Sequence, residues 1–323
     1  MSLILTMVAI LVVVLAGGVA WLFRPSKVDV TRSNVPPSRT APAQPPAGLG
    51  AGSHAYSIES GGIARTYRVY QPAGLTGAVP LVIMLHGGGG SGANAERYYG
   101  WDQQANISKF IVAYPDGLGP NVPAWNVDGG DCCGYPARRQ IDDVRFIEDM
   151  VTTIESQADI DKARIYAAGI SNGGIMAYTL ACETSLFAAI GPDSATQLDA
   201  CDHRSPTSVI HIHGLEDTTI PFDGGQGGGS AKIDGPPVSE VIAGWRKTDD
   251  CSPPSSSTTG VVTTQISSCA HGRAVELVTI ADGGHGWPGS PPKATHASYG
   301  GNAPSQALNA TSVMWKFFSQ HPK

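Results

Sequence analysis

The sequence predicts an α/β domain, with a mainly parallel central sheet and helices on both faces. Three observations point to it. Short, uninterrupted apolar runs recur, as in Pro80–Leu85, Phe110–Tyr114 and Ser208–His213, which is the pattern of strands covered on both faces. Stretches with helical spacing lie between such runs, and alternation of strand and helix implies βαβ units. Clusters of glycine directly follow strands, at 87–90, 169–174 and 283–289. Loops placed in that way gather at the carboxyl edge of a parallel sheet, where ligands bind.

Composition narrows the alternatives. Among 323 residues there are 40 Gly and 24 Pro, and only 15% of residues are charged while 41% are hydrophobic. Disorder requires high charge and few apolar residues, so this chain folds. The formal net charge is -6 and the 21 Lys and Arg form no long basic run, which argues against a nucleic-acid partner. No self-similar repeat is visible.

Taken in order, residues 1–23 are expected to be a transmembrane anchor or signal segment. Leu3–Phe23 reads LILTMVAILVVVLAGGVAWLF, uncharged throughout and long enough as a helix to cross a ~30 Å hydrocarbon core. Arg24, Lys27 and Arg32 follow this span, and flanking charge alone would keep the body in the cytoplasm. The six cysteines, Cys132, Cys133, Cys182, Cys201, Cys251 and Cys269, argue for export instead. Their even number without metal-type spacing suggests disulfides and an oxidising compartment. Local pairs Cys182–Cys201 and Cys251–Cys269 and a vicinal Cys132–Cys133 bridge are the expected set, although the sequence leaves other connectivities open. Residues 24–54, rich in Pro, Ser, Ala and Gly, are expected to be a semi-extended linker.

The catalytic domain is expected over 55–323. A strand ends at Tyr67–Tyr70, and a second, Pro80–Leu85, runs into His86–Gly90. Phe110–Tyr114 is the next strand. Val144, Ile147, Met150, Val151 and Ile154 lie on one face of a helix over 141–154. Arg164–Ala168 is a strand, followed by Gly169–Gly174 and a helix to about Cys182. Ser208–His213 is a strand, Val238–Arg246 a helix, Val275–Ile280 a strand and Ala307–Phe318 a closing helix.

Within this pattern Gly169-Ile170-Ser171-Asn172-Gly173 fits G-x-S-x-G in a strand–turn–helix context, the setting of a nucleophile elbow. The serine must sit at the tip of a sharp turn, where side chains two residues away would collide. A serine hydroxyl needs a base, and His285, between Gly284 and Gly286 after the last strand, has the best context of the nine histidines. His211 and His213, on a buried strand, are expected to be structural, and His86 to support the loop it opens. The base needs a carboxylate to fix its tautomer and orientation. Asp217, just after strand 208–213, is expected in that role, with its neighbour Glu216 as a surface charge. The order Ser171, Asp217, His285 is the nucleophile–acid–base order of α/β-hydrolases. The oxyanion formed on attack needs fixed N–H donors. Asn172 and either Gly87 or Gly88 are expected to supply them. The His86–Gly89 run lacks both G-x-G-x-x-G and a G-K-[ST] ending, which argues against a phosphate loop.

LHGGGG at 85–90, AYPDG at 113–117, DDVRFIEDMV at 142–151, GISNGG at 169–174, HIHGLEDTTIPF at 211–222 and GGHGWPG at 283–289 occur in this order. Together they resemble the polyhydroxybutyrate depolymerase and feruloyl esterase group of α/β-hydrolases, over roughly residues 56–320. The resemblance implies an exported serine esterase without metal or organic cofactor. Its substrate would be a feruloyl or acetyl polysaccharide ester, a hydroxyalkanoate polyester or a small ester. It also implies that Trp125 belongs to a loop walling the site. Trp287, two residues past the base, is a candidate for lining the substrate pocket, with core packing as the alternative. The loop 224–229 reads either as a lid or as a solvated connection. A serine peptidase of the same fold, or a catalytically silent membrane-tethered binding protein, are the alternative functions. The partners expected are the ester substrate, polymeric or small, and a membrane through residues 1–23.

Overall fold

The computed structural model describes residues 48–128, 132–201, 205–291 and 303–323. The anchor or signal expected over 1–23 and most of the linker lie outside the described residues. Among the described residues no helix is long and apolar enough to cross a membrane.

Twelve strands and seven helices are described. The chain begins with a hairpin, β1 (Gly52–Ser60) and β2 (Ile63–Gln71), then β3 (Val79–Leu85), α1 (Gly92–Tyr98), α2 (Trp101–Ser108) and β4 (Ile111–Pro115). It continues through α3 (Gly134–Arg138), α4 (Asp143–Glu155), β5 (Ile160–Ile170), α5 (Asn172–Glu183), β6 (Ala189–Asp193) and β7 (Ser208–Gly214). A two-residue pair, β8 (Gly225–Gln226) and β9 (Asp234–Gly235), precedes α6 (Val238–Thr248). The hairpin β10 (Ser255–Thr259) and β11 (Val262–Ser268), then β12 (Ala274–Ile280) and α7 (Ala310–Gln320), complete it. The domain starts slightly earlier than residue 55, because β1 opens at Gly52 and Leu49 is already buried in the core.

Ten strands form one sheet in the order β1-β2-β4-β3-β5-β6-β7-β12-β11-β10. The run from β4 to β12 is parallel, and the antiparallel hairpins close both ends. In β3, Leu81, Ile83 and Leu85 face the core on which α4, α5 and α6 pack, while Val82 and Met84 face the core under α1, α2 and α7. The apolar runs are therefore continuous because each alternate residue meets a helical layer, and helices on both faces follow.

Two segments depart from the sequence pattern. β6, AIGPD, carries Gly191 and Pro192 in mid-sheet, where proline ordinarily argues against a strand. Gly191 is needed because a Cβ there would lie 2.8 Å from the Met314 sulfur and 2.9 Å from Phe318. The β10–β11 hairpin is built mostly of Ser and Thr and offers little apolar pattern to read. Its ends are tied by Cys251–Cys269, and Cys182–Cys201 joins the end of α5 to the segment after β6. Cys132 and Cys133 are bonded to each other. All three expected pairs are formed.

Candidate active site

Ser171 occupies the turn between β5 and α5 at φ 57°, ψ -127°, a region that costs about 1–3 kcal/mol for a residue with a side chain. The neighbouring glycines explain how the turn is accommodated. A Cβ on Gly169 would lie 2.2 Å from the Gly173 carbonyl oxygen, and one on Gly173 would lie 2.4 Å from the Leu85 and 2.5 Å from the His86 carbonyl oxygens. Ser171 N–H donates to the carbonyl of Asp193, at the end of β6, at 3.0 Å. The elbow is thus pinned to the neighbouring strand. The Asp193 carboxyl is fully buried, and burial pushes it well above the usual carboxylate range.

After β3 the chain turns over the elbow. His86 is fixed at both ring nitrogens: Nδ1–H donates to Gly87 O at 2.8 Å and Nε2 accepts from Gly117 N–H at 2.9 Å. Gly89 N–H and Gly90 N–H are spent within the loop region, on Pro123 O at 2.7 Å and Gly87 O at 2.9 Å. Gly87 and Gly88 line the cleft that holds Ser171, and a Cβ on Gly87 would come within 3.3 Å of Ser171 Cβ. Asn172 is the first residue of α5, where helix geometry leaves backbone N–H groups without intrahelical acceptors. Such a terminus favours negative charge.

Asp217 follows β7. Its Oδ1 accepts N–H groups from Thr219 at 2.8 Å and Ile220 at 2.9 Å, and its Oδ2 accepts from His285 Nδ1 at 2.8 Å. Burial pushes its carboxyl up, but the His285 hydrogen bond, the neighbouring histidines and the Ile220 N–H outweigh this and hold it below the usual value. Glu216 is exposed, as expected. His285 is 8% exposed. With Nδ1 donating to Asp217, its Nε2 is left as the nitrogen able to accept a proton, and the ring lines the same cleft as Ser171. The sequence-predicted trio thus converges on one edge of the sheet, at the ends of β5, β7 and β12.

The two tryptophans part company. Trp287 lines the cleft, and it is also packed: its ring lies 5.1 Å from Tyr99 and its Nε1–H donates to Thr311 Oγ1 at 3.1 Å. Trp125, expected in the site wall, is fully buried and lies behind that wall. Its Nε1–H donates to His86 O at 2.8 Å, and its backbone is bonded to the Asn172 side chain. It supports the loop and does not line the cleft. The reason is physical: its ring, tilted 40° against the His86 ring with centroids 5.0 Å apart, is enclosed by the loop it braces.

The remaining cleft wall comes from Pro120–Val122, the Cys132–Cys133 bridge, α3 and residues 229–234. The glycine loop that could have been a lid is docked. Gly228 N–H donates to Thr218 O at 2.7 Å, and a Cβ on Gly227 would lie 1.9 Å from Thr219 O. The cleft has a volume of about 640 Å³.

Sequence reasoning missed several supporting residues. Asp193 fell in the unrecognised strand. Arg65, buried in an ion pair with Asp143 at 2.7 Å, also went unread; Asp143 Oδ2 in turn accepts the Asn126 N–H at 2.7 Å and anchors the loop carrying Trp125. Only tertiary contact joins β2, α4 and that loop. His211 and His213 were read as structural, but their link to Tyr178 was not visible.

No family model matches the chain. Feruloyl esterase B of Piromyces equi is 33% identical over 230 residues, which is 66% of this chain and 41% of that protein. Feruloyl esterase C of Emericella nidulans is 30% identical over 231 residues, 68% of this chain and 76% of the relative. The chain therefore spans less than half of the Piromyces protein and about three quarters of the Emericella one. Among solved structures, an acetyl xylan esterase from Aspergillus awamori superposes with a TM-score of 0.58 at 14% identity, over 82% of this chain and 99% of that one. A dienelactone hydrolase-like phosphotriesterase from metagenomic libraries gives 0.58 at 13% identity, over 84% and 100%. At these identities the superpositions speak for the α/β-hydrolase fold.

Proposed function

This chain belongs to the feruloyl esterase-like family of α/β-hydrolases, and we propose that it is a serine carboxylic-ester hydrolase with Ser171 as nucleophile, His285 as general base and Asp217 as the orienting acid. The observation that carries this is the arrangement of the cleft. A serine on a strained turn and an imidazole bonded to a buried carboxylate open into one cavity. In this reading Ser171 Oγ attacks the ester carbonyl while His285 Nε2 takes its proton. The negative oxygen is met by the N–H of Asn172 and of Gly87 or Gly88. The alkoxide leaves with the proton from His285, and water, activated by the same base, hydrolyses the acyl-enzyme.

A cleft of about 640 Å³ walled in part by Tyr99, Val122, Tyr135, Leu198, Ile233 and Trp287 has room and apolar surface for an aromatic acyl group. This supports feruloyl or acetyl esters on polysaccharide as substrates, with hydroxyalkanoate and small esters as the wider class. The three disulfides support an exported domain. Residues 1–23 are proposed to attach it to, or direct it across, a membrane.

The test is hydrolysis of 4-nitrophenyl acetate by the full chain, followed by a side-by-side screen of feruloyl, acetyl-xylan and hydroxybutyrate esters and a peptide panel. Ser171→Ala and His285→Ala are each expected to lose roughly 10⁴-fold or more in kcat, and the double variant little more, because such groups act as a unit. Near-normal rates in either single variant, or cleavage of peptides alone, would overturn the proposal.

A further inference from the structure

Behind the proposed acid lies a line of buried polar side chains that the proposed reaction does not use. Tyr178 on α5 places its hydroxyl 2.8 Å from His211 Nδ1. His211 Nε2 is 3.0 Å from His213 Nδ1, and His213 Nε2 is 2.9 Å from the carbonyl oxygen of Ile220. A carbonyl only accepts, so His213 carries its proton on Nε2. His213 Nδ1 then accepts, His211 Nε2 donates to it, and His211 Nδ1 accepts from the tyrosine hydroxyl. One set of tautomers satisfies every bond in the line.

Both rings are fully buried, and they stack 5.2 Å apart because residues two apart on β7 share a face. The line is walled by Trp245, stacked 6.1 Å from Tyr178, and by Phe222, edge-on 5.7 Å from His213. The charged or titratable groups facing it are Asp217, whose Oδ2 lies 3.6 Å from His213 Nε2, and His285 beyond.

The line ends on the segment that holds the acid. The Ile220 carbonyl accepts a hydrogen bond from His213 Nε2–H, and the N–H of the same residue donates to Asp217 Oδ1. The other oxygen of Asp217 receives His285 Nδ1. We infer that His213 is a positioning residue for the Asp217–His285 pair, acting through the backbone of Ile220 and itself fixed by His211 and Tyr178. The inference rests on the proposed roles of Asp217 and His285.

Physically, a buried strand would be filled more simply by aliphatic residues, as at Ile210 and Ile212 on its opposite face. Two imidazoles lose hydration on burial, a cost that hydrogen bonding at each nitrogen must offset. Placed here, they fix the turn Asp217–Ile220 from the sheet side. The Gly227–Gly229 segment docks on the same turn through Thr218 and Thr219. Both contacts limit how far the carboxylate can swing from the base.

Three variants of the full chain test this, read as kcat, KM and the pH profile of kcat/KM on 4-nitrophenyl acetate, with thermal unfolding alongside. His213→Leu is expected to lower kcat about 10-fold or more with KM within about twofold. It should also move the acid limb of the profile to lower pH, because a loosened Asp217 stabilises the His285 imidazolium less. His213→Gln, whose amide can still donate to Ile220 O, is expected to recover most of the rate and the profile. Should His213→Leu fail to fold, Tyr178→Phe removes a single oxygen and is expected to lower kcat about threefold, with the acid limb displaced in the same direction. A wild-type kcat and acid limb in His213→Leu, or in Tyr178→Phe where the leucine variant does not fold, would overturn the inference. So would a loss that glutamine leaves uncorrected in a folded protein. An active His285→Ala would instead overturn the proposed function, so the two failures are distinguishable.

Discussion

The side-chain amide of Asn172 brackets the backbone of Trp125: Oδ1 accepts the Trp125 N–H at 2.7 Å and Nδ2 donates to the Trp125 carbonyl at 3.2 Å. The residue after the proposed nucleophile is thereby tied to the loop that also holds His86, through the Trp125 indole. Asn172 has two separate duties in the proposed reaction, in which its backbone N–H meets the oxyanion while its side chain holds the Trp125 backbone.

Asn172→Ala separates those duties. It leaves the buried N–H of Trp125 without its partner, a loss that costs about 1–3 kcal/mol, while the Trp125 carbonyl keeps only the Cys133 N–H at 3.3 Å. The expected result is a fall in Tm corresponding to roughly 3 kcal/mol, measured by thermal or denaturant unfolding. A variant with unchanged Tm would show that the loop is held by its other contacts, at His86 and Asp143.

Gly173→Ala tests the elbow. Its new Cβ would meet two carbonyl oxygens of the β3 turn at 2.4 and 2.5 Å, and neither is the end of a flexible side chain. A destabilisation of about 3 kcal/mol and a loss of ester hydrolysis are expected. Gly88→Ala is the control. Nothing lies within 4 Å of a Cβ there, so it should fold normally, and any kinetic change it shows reports on the cleft.

Asp102 predicts a pH dependence of stability. It accepts the Tyr114 hydroxyl at 2.6 Å, and burial pushes its carboxyl up to about 6, against the opposing effect of that hydrogen bond. The folded value lies above the ordinary value of about 3.9, so folding takes up a proton. The resulting stabilisation is complete below about pH 4 and is lost as pH rises through about 6. Asp102→Asn cannot titrate and should flatten the stability curve between these limits, measured by denaturant unfolding at a series of pH values. An unchanged slope would assign the effect to other carboxyls that burial raises, among them Asp193 and Asp249.

Reduction should destabilise the domain. Cys182–Cys201 and Cys251–Cys269 close segments of 19 and 18 residues, and each is expected to contribute about 3 kcal/mol. Melting with and without reductant, with thiol titration, checks this. An unchanged Tm with titrated thiols would show that the bridges add little to folding.

The sequence by itself determined the architecture and the trio of candidate reactive residues. Both are local in origin. Uninterrupted apolar runs record burial on two faces, and Gly169 and Gly173 around Ser171 record a turn that admits no side chain. Asp217 and His285 were legible because each follows a recognised strand. β6 was not, because Gly191 answers to the packing of α7 and Pro192 breaks the strand pattern. Which buried groups brace the site was decided by tertiary contact alone. The sequence resemblance puts Trp125 in the wall of the site, and only its bonds to His86 and Asn172 place it behind the cleft. His211 and His213 could be read as buried, but their bonding to Tyr178 and Ile220 depends on α5 crossing β7 and on the turn after β7 folding back. Residues distant in the chain acquire a joint role only when the sheet brings them within hydrogen-bond reach, and no local pattern encodes that distance.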